Sequence, residues 1–279
     1  MSRALVCRAA ILLIAVTVSD PTPAQIISRC RFDVTRLQFQ GTPIEQARCL
    51  LTPVLRKGIL GPTPLRLGDV LETRVGRPAD IDKTKLGGLL REEGLDSLAD
   101  MLDRPVSRTE SGVSARYFVI HDTSQLLTSS PFPPDDDPRL NRLGARYPDG
   151  SWKAHIFLNR KGELLVGYDF ETPWRATRLE GRVGTRSRGL FLHVEHNQPR
   201  LRGSDGPASN DYDAPPHGLT AAQYDRSALL YIVASARAGI WLVPAFHGVI
   251  DSGVGSHDDP QHFDRAAWEA ALERRLQGI

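Results

Sequence analysis

The chain has 279 residues, of which 41% are hydrophobic and 24% charged, enough apolar material for a packed core. Its formal charge of +2 argues against nucleic-acid binding, which needs a concentrated Lys/Arg surface. The 24 glycines and 20 prolines predict many turns and irregular segments.

Arg3 and Arg8 precede an apolar run from Ala9 to Val18, followed by Pro21-Thr22-Pro23-Ala24. A basic start, a short apolar segment and small residues are the order of a secretory signal, so residues 1–24 are expected to be a signal peptide cleaved after Ala24. The run is about half of the roughly 20 residues needed to span a bilayer, so stable membrane insertion is not expected, and the protein would be exported, periplasmic or secreted. The alternative is a buried N-terminal helix. Cys7 would leave with the signal, and Cys30 and Cys49 would remain. In an oxidising compartment these two can pair, closing a loop of about 20 residues worth roughly 3 kcal/mol; the alternative is two separate buried thiols.

Residues 25–112 carry helical patterning over Pro43–Leu55, Leu67–Thr73 and Leu86–Leu102, the last interrupted near Gly94. They hold no cluster of metal-binding or nucleophilic residues, which predicts an N-terminal, mostly helical region packed on the main domain. From residue 113 to 279 the pattern changes. Arg116–Ile120 is a β-rich apolar run, Ala154–Leu158 and Glu163–Tyr168 flank a turn at Asn159-Arg160-Lys161-Gly162, and Leu190–Glu195 makes a further strand. Thr220-Ala221-Ala222-Gln223 is a capping box opening a helix that ends at Gly239, and Asp264 caps a last helix through Leu276. The expected fold is α/β, a central mixed sheet flanked by helices. Ser129–Gly150 and Gln198–Gly218 are long Pro/Asp/Gly/Asn-rich stretches, placed to wall a substrate groove.

Most of the eight histidines lie in this second half. His121 ends the first strand, His247 follows another strand-like run, and His257-Asp258-Asp259-Pro260 comes shortly after. Two imidazoles and a carboxylate from separate segments can make a three-ligand zinc site with one position left for water.

Four segments resemble, in order, the zinc-dependent N-acetylmuramoyl-L-alanine amidases, the group that shares a fold with peptidoglycan recognition proteins. They are Tyr117–Thr123, Ala154–Leu164, Leu192-His193-Val194-Glu195, and Phe246-His247 with His257–Pro260 and Phe263-Asp264. The resemblance covers roughly residues 112–277. It implies zinc held by His121, His247 and Asp259, with Glu195 as general base for cleaving the amide between N-acetylmuramic acid and L-alanine of peptidoglycan. Some members of that family place a lysine two residues before the acidic ligand; His257 stands there in this chain, as an oxyanion donor or as an alternative ligand. Asp258 is expected to be a solvated neighbour. His155 is expected to border the cleft or pack within a strand, and His196, His217 and His262 to lie on the surface. Two other readings stay open at this point: a peptidoglycan or muropeptide recognition protein without catalysis, and an envelope zinc peptidase of different bond specificity.

Overall fold

The computed structural model of the protein describes residues 26–127, 130–143, 152–202, 212–255 and 257–279; the expected signal peptide lies outside them. Three two-residue strands come first, β1 (Ile26–Ile27), β2 (Phe32–Asp33) and β3 (Gln38–Phe39), paired antiparallel in that order. Helices α1 (Pro43–Leu50), α2 (Asp69–Glu72), α3 (Lys83–Glu92) and α4 (Asp96–Asp100) follow. The helix expected over Pro43–Leu55 therefore stops early. Pro53 offers no N–H and restricts the residue before it, so the turn cannot continue. The interruption expected near Gly94 is present: its φ of 71° is left-handed and separates α3 from α4.

Five strands build the central sheet. They are β4 (Tyr117–Asp122), β6 (Ile156–Leu158), β7 (Leu164–Val166), β8 (Phe191–His196) and β11 (Val243–Phe246), in the order β11-β4-β8-β6-β7. Four run parallel, and β7 returns antiparallel to β6 through a turn in which Gly162 has φ 76°. The fold is thus a mixed α/β arrangement with helices on the sheet, as its pattern predicts. A second sheet, β10-β9-β5, is made by β5 (Gln125–Leu127), β9 (Pro199–Arg202) and β10 (Tyr212–Asp213). With the short helix α5 (Pro138–Asn141), it shows that the two loop-like stretches carry regular structure of their own. A cleft of about 530 Å³ lies there, lined by Thr123, Gln125, Arg139, Arg142 and Asn197 among others.

The remaining helices are α6 (Arg178–Val183), α7 (Ala221–Ala238), α8 (His247–Ile250) and α9 (Arg265–Leu276). Thr220 and Gln223 form the expected capping box at α7, and Gly239 at φ 70° ends that helix. Alternation along β4 and β8 divides the core between two faces. Phe118 meets Tyr231 of α7 at 5.4 Å between ring centres, and Tyr231 meets Trp268 of α9 at 5.3 Å. On the opposite face Tyr117 stacks on Phe191 at 5.0 Å and meets Phe39 edge-on at 5.2 Å, with Phe32 against Phe39 at 5.0 Å. The buried Tyr117 hydroxyl accepts from the Phe39 amide and donates to Gln46. One continuous hydrophobic core therefore runs from the N-terminal strands into the sheet.

The N-terminal region is more than helical, and it braces the other half of the chain. Arg29 donates its amide to Ser252 O at 3.2 Å, and Val54 bridges in parallel with Gln261. Cys30 and Cys49 are joined as a disulfide, so the segment touching Ser252 is tied to α1. None of the described helices is long and apolar enough to cross a membrane. Replacing both Cys30 and Cys49 by serine is expected to lower the unfolding free energy by about 3 kcal/mol, the loop-closure value for a link across 19 residues. Urea unfolding of the oxidised protein and the double variant measures this, and equal midpoints would contradict it.

Candidate metal centre

The carboxyl ends of parallel strands are where an α/β sheet offers side chains to a ligand, and here β4, β8 and β11 end together. Val243–Phe246 pairs with Tyr117–Ile120 residue for residue, so His247, one step past β11, arrives beside His121. Their ring centres are 4.3 Å apart. His121 is in register with Glu195 on β8, which places Glu195 on the same face of the sheet as His121, half-buried. Asp259 reaches the same spot from the loop before α9. Its Oδ2 lies 2.9 Å from His247 Nδ1 and 3.8 Å from His121 Nδ1. All three groups are buried, and their ligand atoms lie within 4.8 Å of one another.

A tetrahedral ion with bonds of about 2.05 Å needs its ligand atoms about 3.3 Å apart, and the separations of 2.9 and 3.8 Å bracket that figure. Two imidazoles and one carboxylate are a donor set suited to zinc, and they leave a fourth position open. The residues present therefore fit a zinc ion.

The outer nitrogens of both rings are engaged as metal ligation requires. His121 Nε2 lies 3.0 Å from His193 Nδ1, and His193 Nε2 lies 3.2 Å from Glu180 Oε2. This gives a buried chain from a carboxylate through one imidazole to the next, and it leaves His121 Nδ1 facing Asp259. The His193–Glu180 approach is close, but its angles are not those of a formed hydrogen bond. His247 Nε2 meets Asp251 Oδ2 at 3.0 Å, and the same oxygen takes His257 Nδ1 at 2.5 Å. His247 thus lies between two carboxylates. Burial opposes its charge, yet Asp259 and Asp251 hold it well above the ordinary imidazole range. Burial and the neighbouring imidazoles push His121 well below it.

Two backbone features let the Asp259 loop approach. Gly248 donates its amide to Asp259 O at 2.7 Å, and a Cβ there would stand 2.9 Å from His257 O and 3.1 Å from Asp259 O. Gly58, at φ 70°, would bring a Cβ within 2.8 Å of His257 O. Arg200, fully buried on β9, pairs with Asp122 at 2.6 Å and also reaches the Asp258 carboxylate at 3.3 Å. Burial pushes Asp122 up to about 6 against the pull of Arg200, and Asp259 adds to the rise.

Several expectations are corrected here. Asp258 is not a solvated neighbour, because Arg200 and Gln261 both bind its carboxylate and anchor the loop that delivers Asp259. His196 is not a surface residue; it is buried, with Nδ1 2.8 Å from His121 O. His155 packs within the sheet, whereas His217 is exposed, as expected. Trp174 lies against Tyr168, and Arg175 is exposed. Asp251, Glu180 and His193 escape a reading of the sequence aimed at ligands. One signal was present: Thr177-Arg178-Leu179-Glu180 is a capping box, and it forms α6.

No protein-family model and no curated protein matches the chain. Among solved structures, the Ph2119 endolysin from Thermus scotoductus MAT2119 bacteriophage Ph2119 is similar at 14% identity and a TM-score of 0.35, over 61% of this chain and 91% of that one. A likeness that loose carries neither fold nor activity to this chain.

His155 supplies a test of the packing beneath the site. Its Nδ1 accepts the His193 amide and its Nε2 faces Thr172 O, so only the neutral ring satisfies both contacts. Burial and the nearby His193 lower it to about 3. A folded value below the unfolded value of 6.5 means stability is complete above pH 6.5 and is lost as pH falls toward 3. Between pH 7 and pH 5 this one group should remove about 2 kcal/mol, and His155→Asn should remove most of that dependence. Urea midpoints at the two pH values decide it, and an unchanged difference in the variant would sink the assignment.

Proposed function

We propose that the protein is an exported zinc amidase that hydrolyses the bond between N-acetylmuramic acid and L-alanine in peptidoglycan or its muropeptides. One observation carries the reading. The Nδ1 atoms of His121 and His247 and a carboxylate oxygen of Asp259 converge at the carboxyl edge of the sheet, with Glu195 in register beside His121. The segments that bring them together are those resembling the zinc amidases. The Cys30–Cys49 bridge supports export, since disulfides persist in oxidising compartments.

His121, His247 and Asp259 would hold the ion. Zinc, when bound, polarises the scissile carbonyl and lowers the pKa of a water ligand. Glu195 takes a proton from the attacking water as its oxygen bonds to the carbonyl carbon. The same carboxyl then gives that proton to the nitrogen as the C–N bond breaks, so the lactyl carboxylate and the amine of L-alanine are the products. His257, with Nδ1 engaged by Asp251, presents Nε2 to the substrate, and with the ring protonated on both nitrogens Nε2 donates to the oxyanion formed there. The cleft bordered by Arg139 and Arg142 opens beside Thr123, two residues from His121, and suits an anionic stem peptide.

Mass spectrometry of purified muropeptides incubated with the protein tests the reading. Release of a free stem peptide beginning at L-alanine, abolished by a chelator and restored by zinc, is expected. Glu195→Ala should lower kcat by about 10²-fold or more while leaving zinc content intact. Intact muropeptide in every reaction, at one zinc per chain, would point to recognition without cleavage. A product cut at another bond would make the protein a different envelope peptidase.

A further inference from the structure

Asp251 lies four residues beyond His247, at the end of α8, and is fully buried. Its Oδ1 accepts the Leu179 amide at 2.9 Å, and its Oδ2 accepts the Arg178 amide at 3.0 Å. Those two amides open α6, so the carboxylate is pinned by backbone on one side. On the other side its Oδ2 meets His247 Nε2 at 3.0 Å and His257 Nδ1 at 2.5 Å.

We propose that Asp251 is a positioning residue shared by the metal ligand His247 and by His257, fixing the tautomer of both rings at once. The inference rests on the zinc-amidase reading and deepens it. An ionised carboxylate only accepts hydrogen bonds. Both facing nitrogens must therefore carry hydrogen, which fixes His247 as Nε2–H and His257 as Nδ1–H. His247 then turns the lone pair of Nδ1 toward Asp259 and the ion. His257 turns Nε2 away from Asp251, where it can meet substrate. The ring centres of His247 and His257 are 4.0 Å apart, so neither ring can rotate without disturbing the other.

Asp251, His247 and His257 also lie close enough together to suggest a second ion site. The shared imidazole rules against both sites being filled together. His247 belongs to both groups, and a neutral imidazole has one nitrogen lone pair, which the site with His121 and Asp259 takes at Nδ1. Asp251 is instead an outer partner of a ligating imidazole, a role whose loss ordinarily weakens metal binding by about 10- to 100-fold. Its contact with His257 adds a consequence that ordinary metal support does not have: one substitution should alter both the ion's affinity and the tautomer of a ring that does not bind the ion.

Long-range ¹H–¹⁵N correlation of the zinc-loaded full chain, labelled at histidine, reads the tautomers directly. His247 should be protonated at Nε2 and His257 at Nδ1. Asp251→Asn should weaken zinc about 10- to 100-fold in competition with a chromophoric chelator, and should shift His257 toward the Nε2–H form. The opposite tautomer at either ring in the unaltered protein overturns the proposal, even if the variant does not fold. Unchanged zinc affinity in Asp251→Asn, or weakened affinity with the His257 tautomer unmoved, overturns the shared role as well. If the unaltered protein binds no zinc, the amidase reading fails. The His257 tautomer, measured without metal, then still reports whether Asp251 holds that ring.

Discussion

His121 and His247 can be buried side by side at the end of a parallel sheet only because each ring has a protein partner for its outer nitrogen. An unpartnered polar group at such depth costs kilocalories. Here His193 and Glu180 stand behind His121, and Asp251 stands behind His247. Both arms end on α6. Glu180 belongs to that helix and closes its capping box, and the helix's first amides hold Asp251. A helix of 6 residues thus fixes which nitrogen of each imidazole faces Asp259. The same contacts account for the opposed titration of the two rings. Burial and the neighbouring imidazoles disfavour a charge on His121, whereas Asp259 and Asp251 overcome burial to favour one on His247.

The third candidate ligand, Asp259, comes from a loop, and contacts from several parts of the chain hold that loop in place. Arg200 grips Asp258, Gly248 lets the backbone of residues 257 to 259 come within contact, and Val54 and Gly58 press on it from the N-terminal half. Among the described residues, the N-terminal region contributes none to the groups that could hold an ion. Its contacts brace the site: Phe32 and Phe39 fill the sheet face whose upper end carries His121 and Glu195, while Ser28 reaches α8 and Arg29 the turn after it. Such bracing limits the misplacement of ligands that a loop-borne carboxylate would otherwise suffer.

Much of this was legible in the sequence where local chemistry decides structure. The α7 capping box, the Asn159–Gly162 turn and the apolar runs of β4 and β8 are short-range signals, and each forms where its pattern lies. His121, His247 and Asp259 were singled out by strand ends and by resemblance, and the fold brings them together. What the sequence did not reveal depends on long-range geometry. Nothing local separates His193, buried behind His121, from His217, exposed to solvent. Asp258 looks like any surface aspartate until β9 delivers Arg200 to it. β9 and β10 lie in a stretch rich in turn-forming residues, and only the pairing of β9 with both β10 and β5 makes a sheet there.

The most direct test of the central claim is X-ray absorption at the zinc edge, combined with metal content, for the full chain and for Asp259→Ala and His257→Ala. One zinc per chain is expected, with two imidazole ligands and light-atom scatterers at about 2.0–2.2 Å and no sulfur. Asp259→Ala should lose or loosen the ion, while His257→Ala should keep the same shell. A third imidazole in the first shell that disappears in His257→Ala, with Asp259→Ala unaffected, would contradict the ligand set proposed for this site.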